Sequence, residues 1–162
     1  MVPIALPDTI VLLVTSFGVC VVSGFVPVVN AELYLIAASA VCPPGAAVPL
    51  VVFATAGQMT AKSAMYYGGV GVVRVPVGGR RAGRWKRRLA DARRRFESYR
   101  GQTDALVFAS AAAGVPPFYA TSVLGGVLEI GFVRFFVWGF TGRAIRFGAV
   151  VFLPQLVRGV IG

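Results

Sequence analysis

The chain has 162 residues, of which 57% are hydrophobic and only 14% are charged, and its mean hydropathy is +0.77. Its formal net charge is +10, and it contains two cysteines and no histidine. Soluble domains carry about 25% charged residues, so this composition is typical of a chain that lies in a lipid bilayer. The lack of histidine excludes a His-based catalytic triad, an HExxH zinc site and a His-ligated haem. We therefore expect a protein that is not an enzyme and that needs no metal or cofactor.

The first predicted element is a membrane-spanning helix near the N-terminus. Residues 9–31 contain no charged side chain, and the same is true of 33–61 and 105–128. A spanning helix needs roughly 20 predominantly apolar residues, which each of these runs supplies. A secretory signal peptide is the competing interpretation, but MVPIALPD lacks the basic residues that such a peptide requires. We therefore predict a retained first span, with Asp8 as its N-cap.

The second element is the apolar stretch GFVPVVNAELYLIAASAVCPP at residues 24–44, which contains Asn30 and Glu32. The dozen residues that follow Pro27 are too few to cross a bilayer, so we predict a re-entrant helix with its tip at Pro27. Asn30 would cap this helix, and Glu32 would lie in its first turn, where the helix dipole favours a carboxylate. Capping needs only Asn30, and a carboxylate at membrane depth costs about 2.5–3.5 kcal/mol on insertion scales. We therefore favour a transport role for Glu32 over a purely capping role.

Most of the positive charge lies in the middle of the chain. Eleven of the 16 Lys and Arg residues fall between Arg74 and Arg100, and the positive-inside rule places this loop in the cytoplasm. Apolar side chains at intervals of three and four residues predict a basic amphipathic helix on the anionic inner leaflet. The residues expected at the membrane surface are Arg84, Trp85, Arg88 and Phe96. A plain topology-fixing loop is the alternative, and we expect no nucleic-acid partner because a membrane location already accounts for the charge.

The sequences on the two sides of the basic loop have similar patterns. Both VPVVNAELYLIAAS at 26–39 and VPPFYATSVLGGVL at 115–128 begin with Val-Pro and precede a break and a long helix. A proline-led segment at corresponding positions of two halves is typical of paired broken helices around a site at the membrane midplane. Chance similarity between apolar segments is the alternative. We predict a second re-entrant helix with its tip at Pro116 and Pro117.

The predicted fold is therefore an all-α integral membrane domain that comprises the whole chain. It has two inverted-repeat-like halves, each with a re-entrant helix and a transmembrane helix, joined by the basic amphipathic cytoplasmic helix. The first half is 9–73 with the N-terminal span, the linker helix is 74–102, and the second half is 103–162.

Four cations lie in otherwise apolar sequence: Lys62, Arg134, Arg143 and Arg146. Arginine binds phosphate bidentately and stays ionised, as a site for a lipid headgroup requires. The alternative is that Arg143 and Arg146 direct their charges to the membrane surface, which we favour for Arg146 and leave open for Arg143. We expect Arg134 to pair with Glu129, and Lys62 is a candidate partner of Glu32.

Three segments carry a resemblance to a known family. They are P-x-x-N-x-E-L-x-L at 27–35, AGQMTAKSAMYYGGVG at 56–71, and GVPPFYATSVLGG at 114–126 followed by GFTGRAIRF at 139–147. In this order and spacing they resemble the DedA family, also called the VTT or SNARE-associated Golgi protein-like family, of which the chain is similar to a small, divergent member.

The resemblance implies two re-entrant helices that face each other from opposite sides of the membrane, and it implies that Glu32 is the family's essential acid. It also implies transport of a polyprenyl phosphate or a phospholipid. The chain departs from the family near Pro116, because no arginine lies between Arg100 and Arg134.

The predicted function is movement of a phosphate-bearing lipid between leaflets, with proton coupling through Glu32. The predicted substrate and proton site contains Asn30, Glu32, Lys62, Arg134, Arg143 and Arg146. A proton-coupled exporter of small amphiphilic solutes and a non-transporting membrane scaffold are the alternatives. The expected partners are anionic membrane lipids, with homo-oligomers left open, and the expected location is a bacterial or archaeal cell membrane.

Overall fold

The computed structural model describes residues 6–26, 28–74, 87, 90–94, 98 and 100–161. The longer helical segments are α1 (Leu6–Phe25), α2 (Ala31–Val41), a 3-10 turn (Pro44–Ala46), α3 (Ala47–Arg74), α4 (Arg100–Ala113), α5 (Phe118–Val127) and α6 (Phe132–Ile161). The part of the chain that the structure describes contains no strand, which confirms the all-α prediction. Pro27, Arg84, Trp85, Arg88 and Phe96 lie outside the described residues, and so does most of the predicted basic helix.

Two helical stretches, Asp8–Phe25 and Phe132–Pro154, are long and apolar enough to span a membrane. At 1.5 Å per residue, 18 residues extend about 27 Å, close to the thickness of a hydrocarbon core. Only 22% of the apolar segment in the first stretch and 28% of that in the second are buried within the protein. The side chains of Ile10, Val11 and Val14 in the first stretch are among the exposed ones. A core helix of a soluble protein would be mostly buried, so this exposure is consistent with an integral membrane protein.

The start of α1 differs slightly from the prediction. Asp8 was expected to be the N-cap, but the helix already begins at Leu6, so Asp8 lies within its first turn. Pro7 does not prevent this earlier start, because the first turn of a helix does not need the N–H group that proline lacks. The carboxylate still lies at the positive end of the helix dipole.

Two other apolar helices are much shorter. Helix α2 has 11 residues and α5 has 10, so each extends only about 15–17 Å, roughly half of a bilayer core. After Val41, Cys42 is extended and Pro43 precedes the 3-10 turn, so the long uncharged run at 33–61 forms two helices instead of one. Helix α5 follows Pro117 directly. The short lengths agree with the sequence prediction for these two segments.

The chain divides into two compact units that do not coincide with the predicted halves. The first unit contains residues 1–61 and 143–162, and the second contains 62–142. The predicted halves were separated at the basic loop. The boundaries between the units fall inside α3 and α6, so each of these long helices contributes residues to both units.

The core of the first unit is formed by residues of α1, α2, α3 and the end of α6. Its fully buried side chains include Cys20, Leu35, Leu50, Phe147 and Val151. The two cysteines of the chain are both free, with Cys20 buried and Cys42 half-buried. A sulfhydryl in such surroundings behaves as a small apolar group.

Aromatic side chains build the core of the second unit. The Tyr66 ring stacks on Phe135 with 5.1 Å between centroids, and Phe118 stacks on the same Phe135 ring at 5.9 Å. The Tyr66 hydroxyl donates a hydrogen bond to the carbonyl oxygen of Ile130. Gly126 of α5 lies against the backbone carbonyl of Tyr66, where no side chain would fit. The small residue therefore allows α5 to pack closely on α3.

Candidate functional site

The candidate site begins at the N-terminus of α2. Asn30 has an extended backbone, and its Oδ1 accepts hydrogen bonds from the N–H groups of Glu32 at 2.9 Å and Leu33 at 3.3 Å. These two donors have no partner within the helix, so Asn30 acts as the cap that the sequence predicted. Because Asn30 performs the capping, the Glu32 carboxylate in the first turn is available for another contact.

That contact is an ion pair with Arg146 of α6, 114 residues later in the chain. Arg146 Nε lies 2.7 Å and Arg146 Nη2 lies 2.6 Å from Glu32 Oε1, so two donors of one guanidinium converge on a single carboxylate oxygen. The side chains of Arg146 and Glu32 are 27% and 35% exposed. An ion pair that is partly buried between apolar helices is weak evidence for stability, because the cost of desolvating the two charges offsets their attraction.

Arg143 lies one turn before Arg146 on the same helix and is only 8% exposed. Its guanidinium carbon is 5.5 Å from the centroid of the Phe147 ring, a distance at which the ring face attracts a cation. Arg143 also lies close enough to Arg146 and Glu32 for their charges to act on its guanidinium. Two guanidinium groups and one carboxylate give this cluster a formal net charge of +1. Such a cluster in apolar surroundings favours an anionic ligand.

The structure changes the expected partner of two site residues. Sequence reasoning favoured a surface-directed Arg146 and named Lys62 as a candidate partner of Glu32, whereas Glu32 pairs with Arg146. Lys62 belongs to the second unit, where it is buried and its Nζ lies 3.8 Å from the sulfur of Met65. The first unit thus brings together Asn30, Glu32, Arg143 and Arg146, the last two from one helix.

The expected pair between Arg134 and Glu129 is wrong. Arg134 Nη2 lies 2.7 Å from Asp104 Oδ2 of α4, and Glu129 Oε1 lies 2.9 Å from Arg93 Nη2. The prediction named the two residues as a pair because they lie five residues apart in sequence, but only Arg134 belongs to α6, which begins at Phe132. Glu129 belongs to the preceding turn and has a positive φ of 53°. All four residues of these two ion pairs lie in the second unit.

The two prolines predicted at the second tip lie in an exposed loop before α5. Pro116 accepts a hydrogen bond from the Ser110 hydroxyl at 2.6 Å through its carbonyl oxygen, and Pro117 is the residue before the helix. Pro116 also lines a cavity of about 90 Å³ in the second unit. The cavity wall is almost entirely apolar, with Thr103 and Thr121 as its polar residues. This wall offers no cation for a phosphate group.

Sequence reasoning missed three residues that make polar contacts in the structure. Asp104 is the acid that follows the basic loop, and its position before an uncharged run was a signal that could have been used. Arg93 could not be singled out, because the neighbouring arginines are equivalent in sequence. Gln58 was not considered, although it is a buried amide that donates to Ser23 of α1. Among the described residues, no group of three metal-ligating side chains comes together.

We compared the chain with family models, with curated proteins and with solved structures, and none of the three comparisons gives a match. The resemblance to the DedA family rests on the residues of the chain itself and stays a prediction.

Proposed function

We propose that this chain is an integral membrane protein that moves a phosphate-bearing lipid between leaflets through Glu32, Arg143 and Arg146. The ion pair between Glu32 and Arg146 is the observation that carries the proposal. It joins the first turn of a short apolar helix to a helix long enough to span a membrane. Ionisable groups at membrane depth are costly, and they commonly mark a path for ions or substrates.

The proposed step is an exchange of anions on Arg146. A headgroup phosphate replaces the Glu32 carboxylate on the guanidinium, whose planar donors fit a phosphate as well as a carboxylate. Arg143, one turn away, supplies a second positive charge. In this proposal Glu32, once released from Arg146, is the group that accepts the coupled proton. Proton uptake would then accompany headgroup binding, while the acyl or prenyl tail stays in lipid.

The short helices α2 and α5 supply the second part of the proposal. We propose that both are re-entrant and that they belong to two inverted-repeat-like halves. Their lengths of 11 and 10 residues and their preceding loops support this arrangement. Irregular backbone at membrane depth is tolerated where it lines a hydrated cavity, and such a cavity would admit the headgroup. The resemblance to the DedA family supports the same arrangement.

The basic loop between Arg74 and Arg100 has a separate role in this proposal. We propose that it lies on the cytoplasmic side of a bacterial or archaeal cell membrane and attracts anionic headgroups. Its charge supports the assignment, because each Lys or Arg near an anionic leaflet contributes about 1 kcal/mol of attraction.

The test is leaflet exchange of a fluorescent phospholipid and of a polyprenyl phosphate in liposomes that contain the purified protein. The variants Glu32→Gln, Arg143→Gln and Arg146→Gln each remove one charge of the cluster. We expect each to slow exchange by a factor of ten or more, since a lost charge-assisted hydrogen bond corresponds to roughly 1.5–3 kcal/mol. Arg134→Gln is the matched control, because it breaks a similarly exposed ion pair in the other unit.

Wild-type protein that exchanges neither lipid would contradict the proposal. Exchange that is equally fast in the wild type and in all three variants would contradict the assigned residues. A wild type that moves no lipid but exports a small amphiphilic cation in a Glu32-dependent manner would identify the solute exporter instead.

A further inference from the structure

The cavity of the second unit is lined by residues of α4, of α5, of the loop before α5 and of the turn after it. Its volume of about 90 Å³ equals that of roughly three water molecules in the liquid. Protein interiors contain few voids larger than one water molecule. Two of the lining side chains, Leu106 and Leu124, are 41% and 55% exposed, whereas Val107 is 1% exposed. The cavity therefore extends from the core of the unit to its surface.

The wall of this cavity is unsuited to water. A buried water typically makes about three hydrogen bonds, but the wall is apolar apart from Thr103 and Thr121. The Thr121 hydroxyl already lies 2.9 Å from the Ser110 hydroxyl and 3.4 Å from the carbonyl oxygen of Pro117. In the described part of the chain, neither threonine hydroxyl is among the buried atoms that lack a hydrogen-bond partner. Apolar cavities stay dry and bind apolar molecules, so this wall favours a hydrocarbon.

Hydrogen bonds fix the backbone on two sides of the cavity. Before α5, the Ser110 hydroxyl of α4 donates to the carbonyl oxygen of Pro116 over 2.6 Å. After α5, the N–H of Ile130 bonds to the carbonyl of Gly125 over 3.0 Å, and the carbonyl of Ile130 accepts from the Tyr66 hydroxyl. Pro116, Gly125 and Ile130 all line the cavity. The cavity is therefore part of the fold itself, as most small-molecule sites are.

The surface around the opening of the cavity is apolar. Residues 105–128 contain no charged side chain. Besides Leu106 and Leu124 at the opening, Tyr119 and Val123 of α5 are exposed. In a protein that lies in a bilayer, an exposed apolar surface of this kind contacts lipid chains. A lipid chain is therefore the hydrocarbon that reaches the opening.

We infer that this cavity binds the end of a phospholipid acyl chain, an inference that rests on the membrane location in the proposed function. The chain enters between Leu106 and Leu124 and reaches Val107. Its methylene groups give the wall dispersion contacts. An unbranched acyl chain suits so small a volume better than a prenyl chain, whose methyl branches widen each unit.

The bound phospholipid is a resident component of the second unit and not the transported lipid. All residues that line the cavity belong to the second unit, whereas Glu32, Arg143 and Arg146 belong to the first. The cavity wall also offers no cation for a phosphate group. Filling the cavity should therefore remove the bound chain and leave leaflet exchange intact.

The test is photocrosslinking in proteoliposomes of phosphatidylethanolamine and phosphatidylglycerol. A trace of phosphatidylethanolamine carries a diazirine on the last carbon of one acyl chain, and the labelled residues are identified by mass spectrometry. We expect labelling of Val107 in addition to Leu106 and Leu124. Val107 is the informative residue, because its burial lets a chain reach it only through the cavity.

Two variants block the cavity in different ways. Ala120→Leu adds an isopropyl group at a lining position, and Leu106→Trp enlarges an exposed side chain at the opening. We expect labelling of Val107 to fall in both variants to the level found without illumination. Ala109→Leu is the matched control, because Ala109 is exposed on α4 and does not line the cavity. Added phospholipid should raise the Tm of the wild type in detergent more than that of Ala120→Leu, since a ligand stabilises only the form that binds it.

Three results would overturn the inference. The first is labelling of Leu106 and Leu124 without Val107, which would show ordinary contact with the bilayer. The second is labelling of Val107 that is as strong in both blocking variants as in the wild type. The third is labelling of Val107 by a diazirine-bearing polyprenyl phosphate but not by the phospholipid, which would assign the cavity to a prenyl chain.

The outcomes also separate this inference from the proposed transport. Proteoliposomes in which Val107 is labelled but no lipid is exchanged would support the acyl-chain site and contradict transport. Exchange by the wild type without labelling of Val107 would refute the site and leave the charged cluster standing. Exchange that is lost in Ala120→Leu but kept in Ala109→Leu would show that the bound chain belongs to the transported lipid, and would contradict its resident role.

Discussion

At the scale of single residues, Glu129 has a backbone conformation that ordinarily favours glycine. Its φ is 53°, its N–H bonds to the carbonyl of Gly126, and the N–H of Ile130 bonds to the carbonyl of Gly125. This is the hydrogen-bond pattern with which many helices end, and glycine is the usual residue at the left-handed position. The glutamate that stands there instead pairs with Arg93, which also donates to the carbonyl of Val127 at 3.1 Å.

Replacing Glu129 by glycine or by alanine separates the backbone cost from the ion pair. Glu129→Gly loses the pair, worth about 0–1 kcal/mol at this exposure, but gains about 1 kcal/mol from a residue suited to positive φ. Glu129→Ala loses the pair and keeps the unfavourable backbone. We expect thermal unfolding in detergent to give the Gly variant a Tm at or above that of the wild type and the Ala variant a Tm below it. A Gly variant less stable than the Ala variant would contradict this account.

At the scale of helices, the contact of α1 with α3 depends on Gly57. Its α-carbon lies so close to the backbone of Phe17 that an added methyl group would collide with the carbonyl oxygen. Small residues at such positions let membrane helices approach each other closely.

Gly57→Ala should therefore destabilise the protein, by about 1–3 kcal/mol as for overpacked cores. Gly18→Ala on α1 is the matched control, since nothing lies within 4 Å of a Cβ built there. Alanine has the higher helix propensity, so this control should be neutral or stabilising. Equal effects of the two substitutions on Tm would contradict the close packing of α1 against α3 at Gly57.

The helices themselves were largely predictable from the sequence, because their limits depend on local chemistry. Asn30 before an apolar run predicts a helix cap. The proline pairs near 43 and 116 interrupt uncharged runs that would otherwise be predicted as long membrane-spanning helices. The candidate site was less predictable. Glu32 and the arginines could be named as costly charges in apolar sequence, but the partner of Glu32 lies 114 residues away and depends on tertiary packing. The pairing of Arg134 failed for a local reason, the left-handed turn at Glu129.

At the scale of the whole molecule, the account requires that the chain span the membrane with its basic loop in the cytoplasm. Trypsin cleaves after Lys and Arg, and 11 of the 16 such residues lie between Arg74 and Arg100. In a bacterial expression host we expect cleavage in this loop in inverted membrane vesicles and protection in intact spheroplasts. As a control, detergent added to either preparation should give trypsin access to the loop and allow cleavage. Cleavage in spheroplasts but not in inverted vesicles would reverse the orientation.

The most direct test of the central claim compares leaflet exchange of a fluorescent phosphate lipid by the wild type, by Arg146→Gln and by Arg134→Gln in matched proteoliposomes. Both variants lose one arginine of an ion pair, but only Arg146 pairs with Glu32. We predict exchange by the wild type and by Arg134→Gln, and at least roughly tenfold slower exchange by Arg146→Gln. Exchange that is equally fast in both variants, or that is absent from the wild type, would contradict the account.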